Sequence, residues 1–133
     1  MILEDLFLVI CHGFTMYEII GFELISKQHM NIIRGNPWYK EISVRSDTIL
    51  EHVFRNYKPM NLVIGCFVSV NYFIDKLSEC YALNLYGTNI TPGSLKLLTK
   101  CRILDIRSCK NLTLENTDDV IGLLKSNGCV VYH

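Results

Sequence analysis

Two rhythms of apolar and polar positions alternate along this chain from residue 42 onward. Apolar pairs at i and i+2 (Ile42/Val44, Leu62/Ile64, Leu83/Leu85, Leu104/Ile106) put two side chains on one face of a short strand. Apolar triplets at i, i+3 and i+6 follow (Phe54/Tyr57/Met60, Ile74/Leu77/Cys80, Leu95/Leu98/Cys101) and read as helical stripes. Successive units lie 20 or 21 residues apart. A longer last unit, offset by 26, brings Ile121, Leu124, Val130 and Tyr132 into register with Leu95, Leu98, Leu104 and Ile106. The pattern predicts five strands and four helices in alternation. One strand and one helix in so few residues cannot bury their own apolar faces, whereas stacked neighbours can. The expected fold class is therefore α/β, with a parallel sheet on one side and helices on the other. Gly87 and Ser108 follow strands where the chain must turn, and Asn89 and Asn111 sit at the next bend, where an amide can satisfy turn backbone groups.

The first forty residues follow another rule. Leu6, Phe7 and Ile10 form a short helical stripe, and Thr15-Met16-Tyr17-Glu18 reads as a capping box ahead of Ile19, Ile20 and Leu24. Ser26 is placed to cap a third helix carrying Met30, Ile32 and Ile33, which Gly35 ends and Pro37 blocks. Three such helices are too small to be stable alone. The chain thus divides into a helical part, 1–38, and a repeat part, 39–133. Trp38, the only tryptophan, falls at the joint. It is expected to pack between the last of these helices and the first repeat strand, Glu41 to Val44.

Composition narrows the function classes. At 133 residues, half of them hydrophobic, the chain is one globular domain or two small units sharing a core. Thirteen basic residues balance thirteen acidic ones without clustering, so no electrostatic footprint for nucleic acid or an anionic membrane is present. The longest apolar run, Leu6 to Cys11, is too short to span a bilayer and lacks the flanks of a signal peptide, which points to a cytoplasmic or nuclear location. The cysteines at 11, 66, 80, 101, 109 and 129 form no C-x-x-C pair, so a metal site is not expected. Their number alone allows a disulfide framework, but nothing marks secretion, and reduced, buried thiols are the expectation. The sequons Asn89-Ile90-Thr91 and Asn111-Leu112-Thr113 would then be idle. His12, His29, His52 and His133 have no nucleophile or carboxylate at a telling spacing, and Gly87, Gly93, Gly122 and Gly128 form no phosphate loop. Neither catalysis nor a cofactor is expected.

The stretch "CRILDIRSCKNLT", Cys101 to Thr113, resembles the cysteine-containing leucine-rich repeat, with Cys101, Leu104, Ile106, Cys109 and Leu112 at the family's positions. The Cys80 unit is a shortened relative with Thr88 where the second cysteine would fall, and the first two units are degenerate. This resemblance covers residues 41 to 132. The N-terminal part resembles an F-box: Ile2, Glu4, Asp5, Leu6, Leu8, Ile10, Phe14, Glu18, Ile19, Ile20, Ile25, Lys27, Ile32 and Trp38 occur in that family's order. Leu3 stands where the family has Pro, and His29 where its third helix usually carries Trp. The two resemblances together imply a three-helix F-box followed by a small leucine-rich-repeat solenoid of four to five strand-helix units.

The resemblance also implies a role: substrate receptor of an SCF cullin-RING ubiquitin ligase, which positions a substrate without catalysing the transfer. The F-box would dock on the Skp-type adaptor, and through it a cullin, using Leu3, Leu6, Phe7, Ile10, Phe14, Tyr17, Ile20, Lys27 and His29. Loss of the Trp at position 29 removes a large interface anchor, which implies weaker adaptor binding or an altered pocket. The repeats would hold an unknown protein substrate on the side chains between the inward leucines: Ser43, Val63, Asn84 and Asp105, with Arg45, Tyr86 and Arg107 one pleat further on. Two alternatives stand beside this reading. One is a repeat scaffold whose N-terminal helices only cap the stack. The other is a substrate-free competitor for the adaptor. A compact protein of this kind would serve a host cell, or a virus or pathogen that borrows the host's ligase.

Overall fold

A computed structural model describes residues 35–133. The expected N-terminal helices, Cys11, His12 and all nine adaptor-contact candidates lie outside the described residues. Within them the chain runs β1 (Pro37–Trp38), β2 (Ile42–Val44), α1 (Asp47–Asn56), β3 (Lys58–Pro59), β4 (Asn61–Ile64), α2 (Ile74–Leu77), β5 (Ala82–Asn84), α3 (Pro92–Leu95), β6 (Ile103–Asp105), α4 (Leu114–Ser126) and β7 (Val130–Tyr132). Strands β2, β4, β5, β6 and β7 form a five-stranded, wholly parallel sheet in sequence order. The fold is α/β, as the alternation predicts. No helix among the described residues is long and apolar enough to cross a membrane.

Register follows the expected spacing through the first four strands. Leu62 lies beside Ile42, Leu83 beside Leu62, and Leu104 beside Leu83, and all four are buried. A strand's period of two fixes which face each residue takes, so a constant offset of 20 or 21 repeats the same inward set from strand to strand. Together with Leu50, Val53, Leu77, Leu95, Leu98 and Leu124 these residues form one continuous core between sheet and helices.

The helical segments differ from the expectation for a physical reason. The triplets step by three, not by 3.6, and the backbone follows that period: α2 and α3 are single turns that run on through i to i−3 bonds. Leu98 N–H donates to Leu95 O, Cys101 N–H to Leu98 O, and Cys80 N–H to Leu77 O. A 3₁₀-type turn eclipses side chains at i and i+3, which keeps a strict three-residue stripe on one side. In the first unit, α1 ends at Asn56, so Tyr57 and Met60 lie beyond it, and the helix buries Leu50 and Val53 instead. Among the described residues, only α1 and α4 are helices of ordinary length.

The last unit is out of the expected register by one residue. Leu104 pairs with Val131 and Asp105 with Tyr132, so Val131 turns inward while Val130 and Tyr132 face out. Gly128 causes the slip. With φ at +91°, it is the left-handed residue of a Schellman turn in which Cys129 N–H reaches Leu124 O and Gly128 N–H reaches Lys125 O. The earlier helices have no such turn, and its extra residue shifts the strand that follows. Gly128→Ala should lower stability by about 1 kcal/mol in urea unfolding, from backbone strain alone. A Cβ there would meet nothing within 4 Å, so an unchanged midpoint would contradict the assignment of strain.

Caps and turns explain the two sequons. Thr91 caps α3 by accepting from Ser94 N–H, and Thr113 closes a capping box with Asn116 at α4. Asn111 donates its amide to Asn89 O at 2.7 Å, and Asn71 does the same from the previous unit at 3.0 Å. For Asn89 it is therefore the main chain that joins the ladder of bends. Gly87 and Ser108, 21 residues apart, occupy the expected turns after β5 and β6, and both adopt the left-handed conformation there.

The cysteines link neighbouring units. Cys66, Cys80, Cys101, Cys109 and Cys129 are free thiols, all buried except Cys66. The Cys80 thiol donates to Pro59 O at 3.4 Å, that of Cys101 to Ile103 O at 3.1 Å and Tyr81 O at 3.6 Å, and that of Cys109 to Leu85 O at 3.0 Å. A small, weakly polar side chain suits an apolar site whose carbonyl can accept a further hydrogen bond, as Leu85 O does beyond the one from Thr88 N–H. Thr88, the cysteine's substitute in the shorter unit, donates to Leu85 O at 2.8 Å.

Trp38 is buried, and its strand β1 pairs in parallel with β3, forming a second, two-stranded sheet. Its carbonyl accepts from Met60 N–H at 2.8 Å. Trp38 shares one buried cluster with Ile42 and Val44 of the first repeat strand, against which it is expected to pack. The expected contact with the preceding helix falls outside the described residues.

Candidate functional site

One face of the five-stranded sheet is sealed by the core, and the other carries the substrate-contact candidates. Ser43, Val63, Asn84 and Asp105 form a single cross-strand row, continued by Tyr132 on the last strand. Sequence reasoning places the first four there and misses Tyr132, because the slip at Gly128 is invisible to a fixed offset. Its signal is the Asn127-Gly128 helix stop, which marks an additional residue before the strand.

Asn84 and Asp105 perform the same local task in successive units. Asn84 Oδ1 accepts from Tyr86 N–H at 3.0 Å, and Asp105 Oδ1 from Arg107 N–H at 3.1 Å. Each is an Asx-type turn that bends the chain out of the strand and sets the residue two positions on at the rim of the face. Tyr86 and Arg107 thereby become neighbours, with the Arg107 guanidinium carbon 6.0 Å from the Tyr86 ring centroid and 5.9 Å from that of Tyr132. Arg107 is fixed from below by Asp105: Nε donates to Oδ1 at 3.0 Å and Nη2 to Oδ2 at 2.7 Å.

The electrostatics follow from this fork. The bonds from the Arg107 side chain hold the Asp105 carboxyl below its ordinary range, against the opposing effect of burial, and Asp105 in turn raises the basicity of Arg107. The mixed-charge patch expected beside Tyr86 exists, but its two charges are not equally available. The Asp105 side chain is 12% exposed and that of Arg107 57%. A ligand meets the cation and the two phenol rings first.

Elsewhere on the face Ser43 and Arg45 are exposed, and Val63 is half-buried. Gly65 occupies the row of Arg45, Tyr86 and Arg107, because β2 passes close by: a Cβ there would lie 3.2 Å from Arg45 Cα and 3.3 Å from Val44 O. On the helical side, a groove of about 400 Å³ is lined by Phe54, Tyr72 and Phe73 and flanked by the Glu51–Arg55 ion pair. On α1, His52 contacts Asn56 and, just past the helix end, Tyr57, and His133 contacts Lys125. No group of three or more metal-capable side chains occurs among the described residues.

The chain matches no protein-family model, no curated protein and no solved structure.

Proposed function

We propose that this protein is a substrate receptor of an SCF-type ubiquitin ligase, with an F-box-like N-terminal part that docks on the Skp-type adaptor and a leucine-rich-repeat solenoid that holds a protein substrate. The observation that carries the reading is the outward sheet face. It is a cross-strand row of Ser43, Val63, Asn84, Asp105 and Tyr132, exposed at its two ends and partly or fully covered between them, on a stack whose other face is committed to the core. Such a surface suits broad, shallow recognition of another protein. The order of F-box-type residues ahead of Trp38 supports the docking half. The receptor's work is positioning, which raises the effective concentration of substrate lysines near the transfer site.

Co-purification with a recombinant eukaryotic SCF adaptor tests this directly. The wild-type chain should form a stable one-to-one complex, and Leu6→Asp/Ile10→Asp should lose it while keeping the far-UV spectrum of the folded protein. A well-behaved wild-type monomer that ignores the adaptor would mean that the N-terminal residues only cap the stack.

A further inference from the structure

Resting on the reading of the outward face as the ligand surface, we propose that it takes an acidic peptide segment of a partner protein. One ligand carboxylate would seat on the outer edge of the Arg107 guanidinium between Tyr86 and Tyr132, with an adjacent apolar side chain over Gly65.

Three features of the face select this ligand. The first is preorganisation. Asp105 holds two of the Arg107 nitrogens, at 3.0 and 2.7 Å, and the flanking rings limit its swing. Nη1 has no hydrogen bond among the described residues, so the fork keeps outward donors on a side chain that loses little freedom on binding. The second is charge. The one carboxylate beside Arg107 is covered, whereas Arg45, on the same pleat level three strands away, is exposed and has neither an ion pair nor a hydrogen bond among the described residues. Cations thus stand at both ends of one row, about 14 Å apart by strand spacing. A carboxylate ligand gains both, while a basic one meets repulsion and finds the Asp105 site already filled.

The third feature is shape. Gly65 leaves a gap between Arg45 and Tyr86, imposed by the close approach of β2, and about two strand spacings or 10 Å wide. That is room for one side chain. Phe67, two residues past Gly65 along the chain, is 92% exposed. The ligand is therefore acidic and aromatic or aliphatic in adjacent positions, not uniformly acidic.

Soluble random copolymers serve as probes: poly(Glu,Tyr), poly-Glu and poly(Lys,Tyr), each titrated against the immobilised full chain at low salt. Poly(Glu,Tyr) should bind more tightly than poly-Glu, and poly(Lys,Tyr) should not bind. Arg107→Gln should weaken poly(Glu,Tyr) by about tenfold or more. Tyr132→Leu, which leaves the ion pair intact, should weaken it by about threefold. Lys96→Gln on the helical side should change nothing. Equal binding by Arg107→Gln, binding of poly(Lys,Tyr) that this variant strengthens, or no binding of any copolymer would each overturn the proposal. The adaptor co-purification, run on the same samples, separates the two readings. An adaptor complex without poly(Glu,Tyr) binding leaves the receptor and removes the ligand class, and the reverse removes the ligase and leaves an acidic-peptide module.

Discussion

Raising the pH above about 9 should unfold this protein steeply, and the buried thiols are the reason. Burial pushes both Cys80 and Cys101 up to about 12, with the neighbouring thiols Cys101 and Cys129 adding to the effect in turn. In the unfolded chain the same groups ionise near ~8.5. The sign follows from proton counting: above that value the unfolded state sheds protons that the folded state still holds. Stability is therefore complete below the unfolded value and lost as pH rises toward the folded one. Each thiol contributes a slope of about 1.4 kcal/mol per pH unit, so the pair removes about 3 kcal/mol per unit. Against a total stability of roughly 5–15 kcal/mol, that is enough to unfold the domain within a few units. Lysines and tyrosines also deprotonate near ~10, so the deciding comparison is Cys80→Ala/Cys101→Ala against wild type. The variant should lose about 1 kcal/mol per thiol bond at neutral pH and yet show a flatter urea midpoint between about pH 9 and 10.5. Parallel slopes in the two proteins would assign the alkaline loss to other groups.

The same cysteines show what a sequence makes legible. Cys80 and Cys101 stand out because each closes a unit at a fixed offset, and the offset carries the inward set Leu62, Leu83 and Leu104 with it. Strand faces are legible because a period of two admits no intermediate answer. The triplets are less legible, since spacing by three fits a helix stripe loosely and a chain of 3₁₀-type turns well, and short windows do not separate them. The slip at Gly128 reverses the facing of Val130, Val131 and Tyr132, so Tyr132 is hidden from a fixed offset that reveals the other residues of its row. Pairing of β1 with β3 left no trace at all: two-residue strands that each contain a proline have no alternation to detect. At the site, Asp105 and Arg107 were legible as neighbours on one face. That the arginine covers the aspartate is a matter of side-chain geometry that spacing does not encode.

Trp38→Ala should cost about 3–5 kcal/mol, the usual range for emptying a large aromatic site in a core. Trp38 is 2% exposed and belongs to the same buried cluster as Ile42, Leu50, Val53 and Tyr57 of the first unit of the stack. Its backbone also anchors the start of the ladder on that side, through Met60 N–H. The alternative is that Trp38 acts mainly as a joint between two parts. The two roles differ in cooperativity. Loss of a joint would uncouple the parts and split the urea transition in two, at little cost to the repeat core. Loss of a core residue lowers a single transition, because each unit in a stack depends on its neighbours. Far-UV circular dichroism is the suitable probe, since the variant has no tryptophan to report fluorescence. A single transition at a lower midpoint, with Trp38→Phe falling between variant and wild type, would place the residue in the stack. Two transitions would return it to the joint, and the boundary at residue 38 would then divide two separately folding parts.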